Sequence, residues 1–507
     1  MSISKTTIQF ICLIILISTL NSYAQTPSIV WQKSFGGRLY DRAESIIQTT
    51  DGDFVVAGHS QSNDYDLTTN FGCFDSWIIK INNTGTLIWK KSLGGGGCDY
   101  TRNVIETSDG GFLCVGESNS TNGDISNYYG QIDFWVIKLS ENGITEWIKN
   151  YGGDSNDEGI SACLTNDGNY IIAGSSESNI SGIQTNQIYM DFWILKINPN
   201  GNIIWQKKYG GSGYEYLRKI KKTADGGYVL TGDTTSADGN ITGNNGGQDV
   251  WIIKIDESGN IEWQNTFGGT LDDYSKDIIE DSEGNFIVVG ETYSFDLDAV
   301  ENHSNAGQRD YFVVKVNNQG QKIWSRCYGG GSNEYARSIV QASSGEYIII
   351  GESYSSDGQP TNNHGSADFW LIKVNPINGN LIWQKNFGGT GHDEPNALIE
   401  CFDNDFIIAG NAAHPIGNGD VTQNHGDDDF WIVKVKNNEC INNLTLKKQI
   451  PFGNIKFDAF ENIISNSKII NPTSNIEYNA GKSIFLNPGF STQTGSVFKA
   501  KIEGCNN

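Results

Sequence analysis

Asp75-Ser76-Trp77-Ile78-Ile79-Lys80 and Thr86-Leu87-Ile88-Trp89 are joined by a polar turn ending in Gly85, and they read as a β-hairpin with one tryptophan in each strand. Upstream of this hairpin lie two more short strands. Ser45-Ile46-Ile47-Gln48 ends at the turn pair Asp51-Gly52, and Phe54-Val55-Val56-Ala57-Gly58 follows. A polar loop then leads to Asp75, and downstream the unit closes in Leu93-Gly94-Gly95. The reading is four antiparallel strands with no helical periodicity.

The unit recurs. Trp31, Trp89, Trp147, Trp205, Trp263, Trp324 and Trp383 mark the fourth strand, at intervals of 58 residues in the first four cases. Trp77, Trp135, Trp193, Trp251, Phe312, Trp370 and Trp431 mark the third, and the two series contain all 13 tryptophans. A fixed period of this length built from four strands is the pattern of a β-propeller blade, and a β-solenoid would need shorter coils. Strands one to three occur seven times. The seventh copy ends at Val433-Lys434-Val435 without a tryptophan-bearing fourth strand, whereas Ile29-Val30-Trp31-Gln32-Lys33 supplies one without a preceding blade. The expectation is an all-β, seven-bladed β-propeller in which the N-terminal strand completes blade seven and leaves no blade edge unpaired.

Composition agrees with such a ring. The 507 residues include 60 Gly, 23 Phe, 21 Tyr and 13 Trp but only 2 Met and 9 Pro, which excludes disorder, collagen and coiled coil. The net charge of −24 disfavours nucleic acid and anionic lipid as partners. Residues 1–24 carry Lys5, an apolar stretch from Phe10 to Leu20 and small residues before Gln25, and they read as a signal peptide. No stretch has the length of a transmembrane helix. The expected organisation is 1–24 signal peptide, 25–437 propeller and 438–507 a small C-terminal β domain, in a monomer exported to the extracellular space or the outer cell surface.

Asp133-Phe134-Trp135-Val136-Ile137-Lys138 and Tyr151-Gly152-Gly153 resemble the bacterial seven-bladed β-propeller repeat of secreted surface proteins, over about residues 28–436. In the tail, residues 476–486 alternate as a strand pair around an Ala-Gly bend, Asn487-Pro488-Gly489-Phe490 is a turn, and residues 495–502 form a last strand. This pattern is similar to the three-coathanger stack domain of secreted Bacteroidetes proteins. The two resemblances imply a cell-surface or extracellular setting.

Two acidic positions recur in every blade. Asp41, Asp99, Asp157, Glu215, Asp273, Glu334 and Asp393 stand ten residues after each fourth-strand tryptophan. Asp75, Asp133, Asp191, Asp249, Asp310, Asp368 and Asp429 open the third strands, and Lys80 and its six equivalents end them. A catalytic centre is a single asymmetric constellation, so residues repeated seven times are read as blade-structural, capping turns and linking blades. No catalytic residue is assigned.

Connections after strands two and four share one face, where function is expected because loops on a rigid scaffold vary freely. Asp238, Asp357 and Asp420 lie there in Asp/Asn/Gly clusters that read as Asx turns, with calcium ligation the alternative chemistry. His303, His364, His392, His414 and His425 also fall on loops and are read as solvated. Gln48, Glu106, Leu164, Lys222, Glu280, Gln341 and Glu400, seven residues after the first recurring acid, are a mixed, mostly polar set that would border a water-filled channel if it faces inward.

Among the cysteines, Cys73 and Cys98 are a disulfide candidate on the loop face and Cys440 and Cys505 a second one bracketing the tail, while Cys114, Cys163, Cys327 and Cys401 occupy strands. No cofactor is assigned. The functional expectation is a non-enzymatic binding module for an extracellular glycan or protein ligand. The competing class is a polysaccharide hydrolase or lyase drawing on unrepeated loop acids such as Asp64, Asp66, Glu158, Glu394, Asp427 and Asp428.

Overall fold

The computed structural model describes residues 26–502 apart from 126, 181–188, 306, 414–418, 438–440, 447–453, 466, 470–474, 481, 489, 493 and 495. The leader 1–24, Cys440, Cys505 and His414 lie outside the described residues. Among those described, seven four-stranded antiparallel sheets form the blades of a β-propeller. Blade one consists of Asp41–Gln48, Phe54–Ser60, Asp75–Ile81 and Leu87–Leu93. The first strands of blades two to seven are Asp99–Glu106, Asp157–Leu164, Glu215–Lys222, Asp273–Glu280, Glu334–Gln341 and Asp393–Glu400. Blade seven takes its fourth strand from the other end of the ring: Ser28–Phe35 pairs antiparallel with Asp428–Lys436, from Ser28 opposite Lys436 to Phe35 opposite Phe430.

The two tryptophan series do different work. Third-strand tryptophans are fully buried between blades, five of the six against the aromatic that follows the opening Asp of the preceding blade's third strand; Trp135 meets blade one, where that position is Ser76. Ring centroids are 4.7 Å apart for Phe134 and Trp193, and 4.5 Å for Trp77 and Phe430 across the ring closure. Six of the seven fourth-strand tryptophans, all but Trp383, pack on the turn between strands three and four of the next blade. Gly143 in that turn has φ 74°, and a Cβ there would sit 2.9 Å from the Trp89 ring, so both the backbone conformation and the close approach call for glycine. The indoles of Trp147 and Trp263 donate to carbonyls of these turns at Pro199 and Asn318, at 3.0 and 2.9 Å.

The lysine ending each third strand is buried and reaches the turn between strands one and two of its own blade. Lys80 meets Asp51 at 2.7 Å, Lys196 meets Asp167 at 2.8 Å and Lys254 meets Asp225 at 2.9 Å. A buried ammonium needs such a partner, which explains why the motif ends in lysine every time.

Beyond the ring, strands Ile441–Leu446, Asn454–Ser465, Asn475–Ala480, Ser483–Leu486 and Val497–Lys501 pair in parallel. The described tail is thus built differently from the antiparallel blades. Tyr478 packs there against Phe490 and Phe498.

Candidate functional site at the mouth of the central channel

The recurring acids bind the scaffold to itself. Asp99 accepts from the Gly95 N–H at 2.7 Å, from the Ser120 hydroxyl at 2.7 Å and from the Ser118 hydroxyl. Equivalent bonds from the second glycine of the Gly-Gly turn reach Asp41, Asp157, Glu215, Asp273, Glu334 and Asp393. Third-strand acids take a loop N–H four to seven residues upstream: Phe71 for Asp75, Tyr129 for Asp133, Asn245 for Asp249, His303 for Asp310, His364 for Asp368 and His425 for Asp429. At each junction the two acids flank the first glycine of the turn. A Cβ on Gly94 would lie 2.3 Å from Asp75 Oδ1 and 2.9 Å from Asp99 Oδ2, and Gly210 is wedged in the same way between Asp191 and Glu215. Burial pushes these carboxyls up, Asp41, Asp249, Asp310, Glu334 and Asp393 to about 7 and Asp75, Asp133, Asp191 and Asp273 to about 6.

The loop acids named for calcium face backbone amides. Asp238 accepts from Ser212 N–H at 2.7 Å, Asp357 from Gly331 N–H at 2.9 Å and Asp420 from Gly388 N–H at 3.3 Å. Asp64 does the same for Arg38 N–H at 2.9 Å, so it belongs to the repeat rather than to the unrepeated acids. Among the described residues no three His, Cys, Asp or Glu side chains come together as a metal cluster. His364 and His425 bond their own third-strand acids, Asp368 and Asp429, at 2.8 and 2.7 Å.

Of the residues seven after the first acid, Glu280 and Gln341 border the central channel, and several of the set latch neighbouring blades. Glu106 accepts from Thr50 N–H at 3.0 Å, Glu280 from Ala224 N–H at 2.7 Å and Gln48 from Phe402 N–H at 2.8 Å. The residues that border the cavity include those four and six after the acid. Every first strand carries a β-bulge three residues after the acid, between Ala43 and Ser45 in blade one and at the same step elsewhere. One extra residue shifts the alternation of side chains, which a strict period of two does not anticipate.

That bulge builds the asymmetric site. Its residue is Glu44, Arg102, Ile160, Arg218, Lys276, Arg337 or Asn396, and the position two before it is Arg42, Tyr100, Glu158, Tyr216, Tyr274, Tyr335 or Glu394. Five of the chain's seven arginines, Arg42, Arg102, Arg218, Arg309 and Arg337, gather at this loop-face mouth. Bulge cations pair with an acid on the second strand of the same blade: Arg102 with Glu117 at 2.7 Å, Arg218 with Asp233 at 2.8 Å, Lys276 with Glu291 at 3.6 Å, and Arg337 with Glu352. The belt continues between blades. Arg337 reaches Glu394 at 3.0 Å, Arg42 reaches Glu394 at 2.6 Å, and Arg102 reaches Glu44 at 3.0 Å. His392 bridges Glu352 at 3.2 Å and the Tyr354 hydroxyl at 2.8 Å. The Glu352 contact raises its basicity ahead of the opposing effect of burial.

Tyrosines lie between these charges. The Arg309 guanidinium is caged by Tyr293, Tyr274 and Tyr335 at 4.4, 5.2 and 5.2 Å from the ring centroids. Tyr214 and Tyr216 stack with centroids 6.0 Å apart, and Tyr189 meets Tyr214 edge-on at 4.9 Å. Blade three departs from this plan. Its bulge residue is Ile160, and the carboxyl of the half-buried Glu158 makes no hydrogen bond or ion pair among the described residues. Burial, then the nearby Glu117, raises its carboxyl. Glu158, Glu394 and Asp428, named from sequence as unrepeated acids, all come to this mouth, whereas the tyrosines and arginines were not singled out. They could have been found by aligning the seven first strands and reading the columns that vary.

The disulfide Cys73–Cys98 joins the loop after strand two of blade one to the turn entering blade two, with Cα atoms 4.8 Å apart. Cys114, Cys163, Cys327 and Cys401 are buried free thiols.

No protein-family model matches the chain, and no curated protein does. Solved structures similar to it include the WD40 β-propeller domain of Doa1, at 10% identity and TM-score 0.45 over 81% of this chain and 97% of that one. Others are BamB from Moraxella catarrhalis, at 12% identity and TM-score 0.38 over 80% and 99%, and Drosophila Plexin A in complex with Semaphorin 1b, at 9% identity and TM-score 0.42 over 82% and 88%.

Proposed function

We propose that the channel mouth is the ligand site of an extracellular binding module and that its ligand is a glycan. The observation that carries this reading is the rim itself: Tyr100, Tyr216, Tyr274 and Tyr335 occupy a position that two other blades fill with glutamate and one with arginine, so no structural rule of the repeat demands an aromatic there. Half-buried tyrosine faces give the C–H surface of a sugar ring a stacking platform, and planar guanidinium and carboxylate groups beside them match paired hydroxyls. The acidic surface works against nucleic acid as the ligand.

The Cys73–Cys98 disulfide supports an oxidising, exported setting, as does the leader read in residues 1–24. The parallel strands of the tail, with Asn454 opposite Asn475 and Asn475 opposite Val497, support its resemblance to a coathanger stack. We further propose that the protein acts as a monomer on or outside the cell. A glycan array probed with the purified chain tests the reading: binding that disappears when Tyr216 and Tyr335 are both replaced by alanine supports it, and binding unchanged by that pair refutes it.

One observation favours a second reading. The Glu158 carboxyl has no hydrogen-bond or ion-pair partner among the described residues, is partly buried and is raised by that burial, as a general acid would be. In a polysaccharide hydrolase at this mouth Glu158→Gln would abolish release of reducing ends, and without any such release from the wild type the enzymatic reading fails.

A further inference from the structure

Below the mouth the ring encloses a cavity of about 720 Å³, bordered by the first strands of the blades. Six residues after the recurring acid, the blades present Ile47, Ile105, Ile279, Val340 and Ile399 to the cavity, an apolar belt. Four residues after the acid they present Ser45, Asn103, Asp277, Ser338 and Ala397. Blade four departs at both levels, with Lys219 and Lys221, and both border the cavity. Neither Nζ makes a hydrogen bond or an ion pair with any described residue, while both backbones stay in the blade-four ladder.

The carboxylates around the same cavity have partners. Asp277 accepts from Ile278 N–H at 2.9 Å, Ser338 Oγ at 2.9 Å and Ile339 N–H at 3.2 Å. Glu280 accepts from Ala224 N–H, and Glu44 pairs with Arg102. The channel of a protein with net charge −24 therefore carries two lysine amines on one strand with no ion-pair partner among the described residues, spaced two residues or roughly 6.6 Å apart, with Asp277 acting on Lys219 across the cavity. Burial lowers the basicity of Lys219, opposed by Asp277 and then assisted by the neighbouring Lys221, so an anion placed beside the amine would restore its charge.

We propose that the central channel binds a small carboxylate, its oxygens between the Lys219 and Lys221 amines and its apolar body against Ile279, Val340 and Ile399. The volume lies within the range of small-molecule pockets, and an aliphatic belt with one pair of convergent cations selects an amphiphilic anion over a mineral one. This site is separate from the tyrosine rim, and the failure of either reading leaves the other standing.

Calorimetric titration of the full chain with benzoate, and with sulfate as the mineral anion, tests it. Benzoate is expected to bind, with affinity falling about tenfold or more in Lys219→Met or Lys221→Met, as for a lost charge-assisted hydrogen bond. Lys221→Arg should keep most of it, and Tyr216→Ala with Tyr335→Ala should leave it unchanged. Melting curves identify variants that fold. No heat from benzoate, wild-type affinity in a folded Lys219→Met and Lys221→Met double variant, or sulfate binding as tightly as benzoate would overturn the proposal.

Discussion

Arg42 of the first blade donates to Glu394 of the seventh at 2.6 Å, across 352 residues of sequence. The contact lies at the seam where the two ends of the ring meet, and the same Glu394 is held from the other side by Arg337. Closure of the propeller and assembly of the channel mouth are therefore one event. Below the seam the Trp431 indole donates to Gln32 at 2.8 Å, tying the N-terminal strand to the core of blade seven.

Deleting residues 26–35 should therefore destabilise the whole ring. Withdrawing Phe35 and Trp31 from their packing removes upward of about 3 kcal/mol. Thermal unfolding followed by circular dichroism should show a clearly lower Tm or a broadened transition, and an unaltered Tm would refute strand-exchange closure.

Cys73→Ser should lower stability by about 3 kcal/mol, since the bond closes a loop of 25 residues that opens in the variant. Mass spectrometry of the alkylated, unreduced protein should show Cys73 linked to Cys98. Cys114, Cys163, Cys327 and Cys401 should label only after unfolding, because burial raises each thiol and hides it.

The junction carboxyls make an unusual pH profile. Asp41, Asp249, Asp310, Glu334 and Asp393 titrate near 7 in the folded ring, against about 4 in an unfolded chain. Between those values the native state holds protons that the unfolded state has released, so stability falls as pH rises. Asp109 and Asp225, held near 2 by hydrogen bonds and a buried lysine against the opposing effect of burial, lose their contribution only in stronger acid. Tm should be higher at pH 5 than at pH 8, and the slope should shrink in Asp249→Asn. A Tm that rises from pH 5 to pH 8 would contradict the paired, partly protonated junctions.

Tyr65 and Leu297 adopt φ 50° and 52° where the equivalent residues Gly123, Gly239 and Gly358 have φ 71°, 67° and 68°. A bulky side chain in the left-handed region costs about 1 kcal/mol, and both side chains are more than half exposed, at 58% and 55%. Leu297→Gly is expected to raise Tm by a degree or more, and a fall would show that packing outweighs backbone strain.

Much of the ring was legible because propeller geometry forces the same residues into each blade. A tryptophan that must fill one gap and a glycine that must turn under it recur together, and their period counts the blades. The unmatched strand at Trp31 revealed the closure for the same reason. What stayed hidden depends on geometry that no period reports. The bulge at Glu44 and its equivalents displaces the alternation by one residue, so the polar position that latches blades at Gln48 and Glu106 reaches the channel only at Glu280 and Gln341. The mouth was legible only in part: Glu158 and Glu394 stood out as unrepeated acids, but their convergence with Arg337 and Tyr335 needs the ring to be closed.

The most direct test of the account is calorimetric titration of the glycan selected on the array into wild-type protein and into Tyr335→Ala and Tyr216→Ala. Each variant should lose about 1 to 2 kcal/mol of binding, a five- to thirtyfold weakening, with Tm unchanged because the tyrosines sit on the rim rather than in the core. Wild-type affinity in both folded variants would remove the channel mouth as the ligand site.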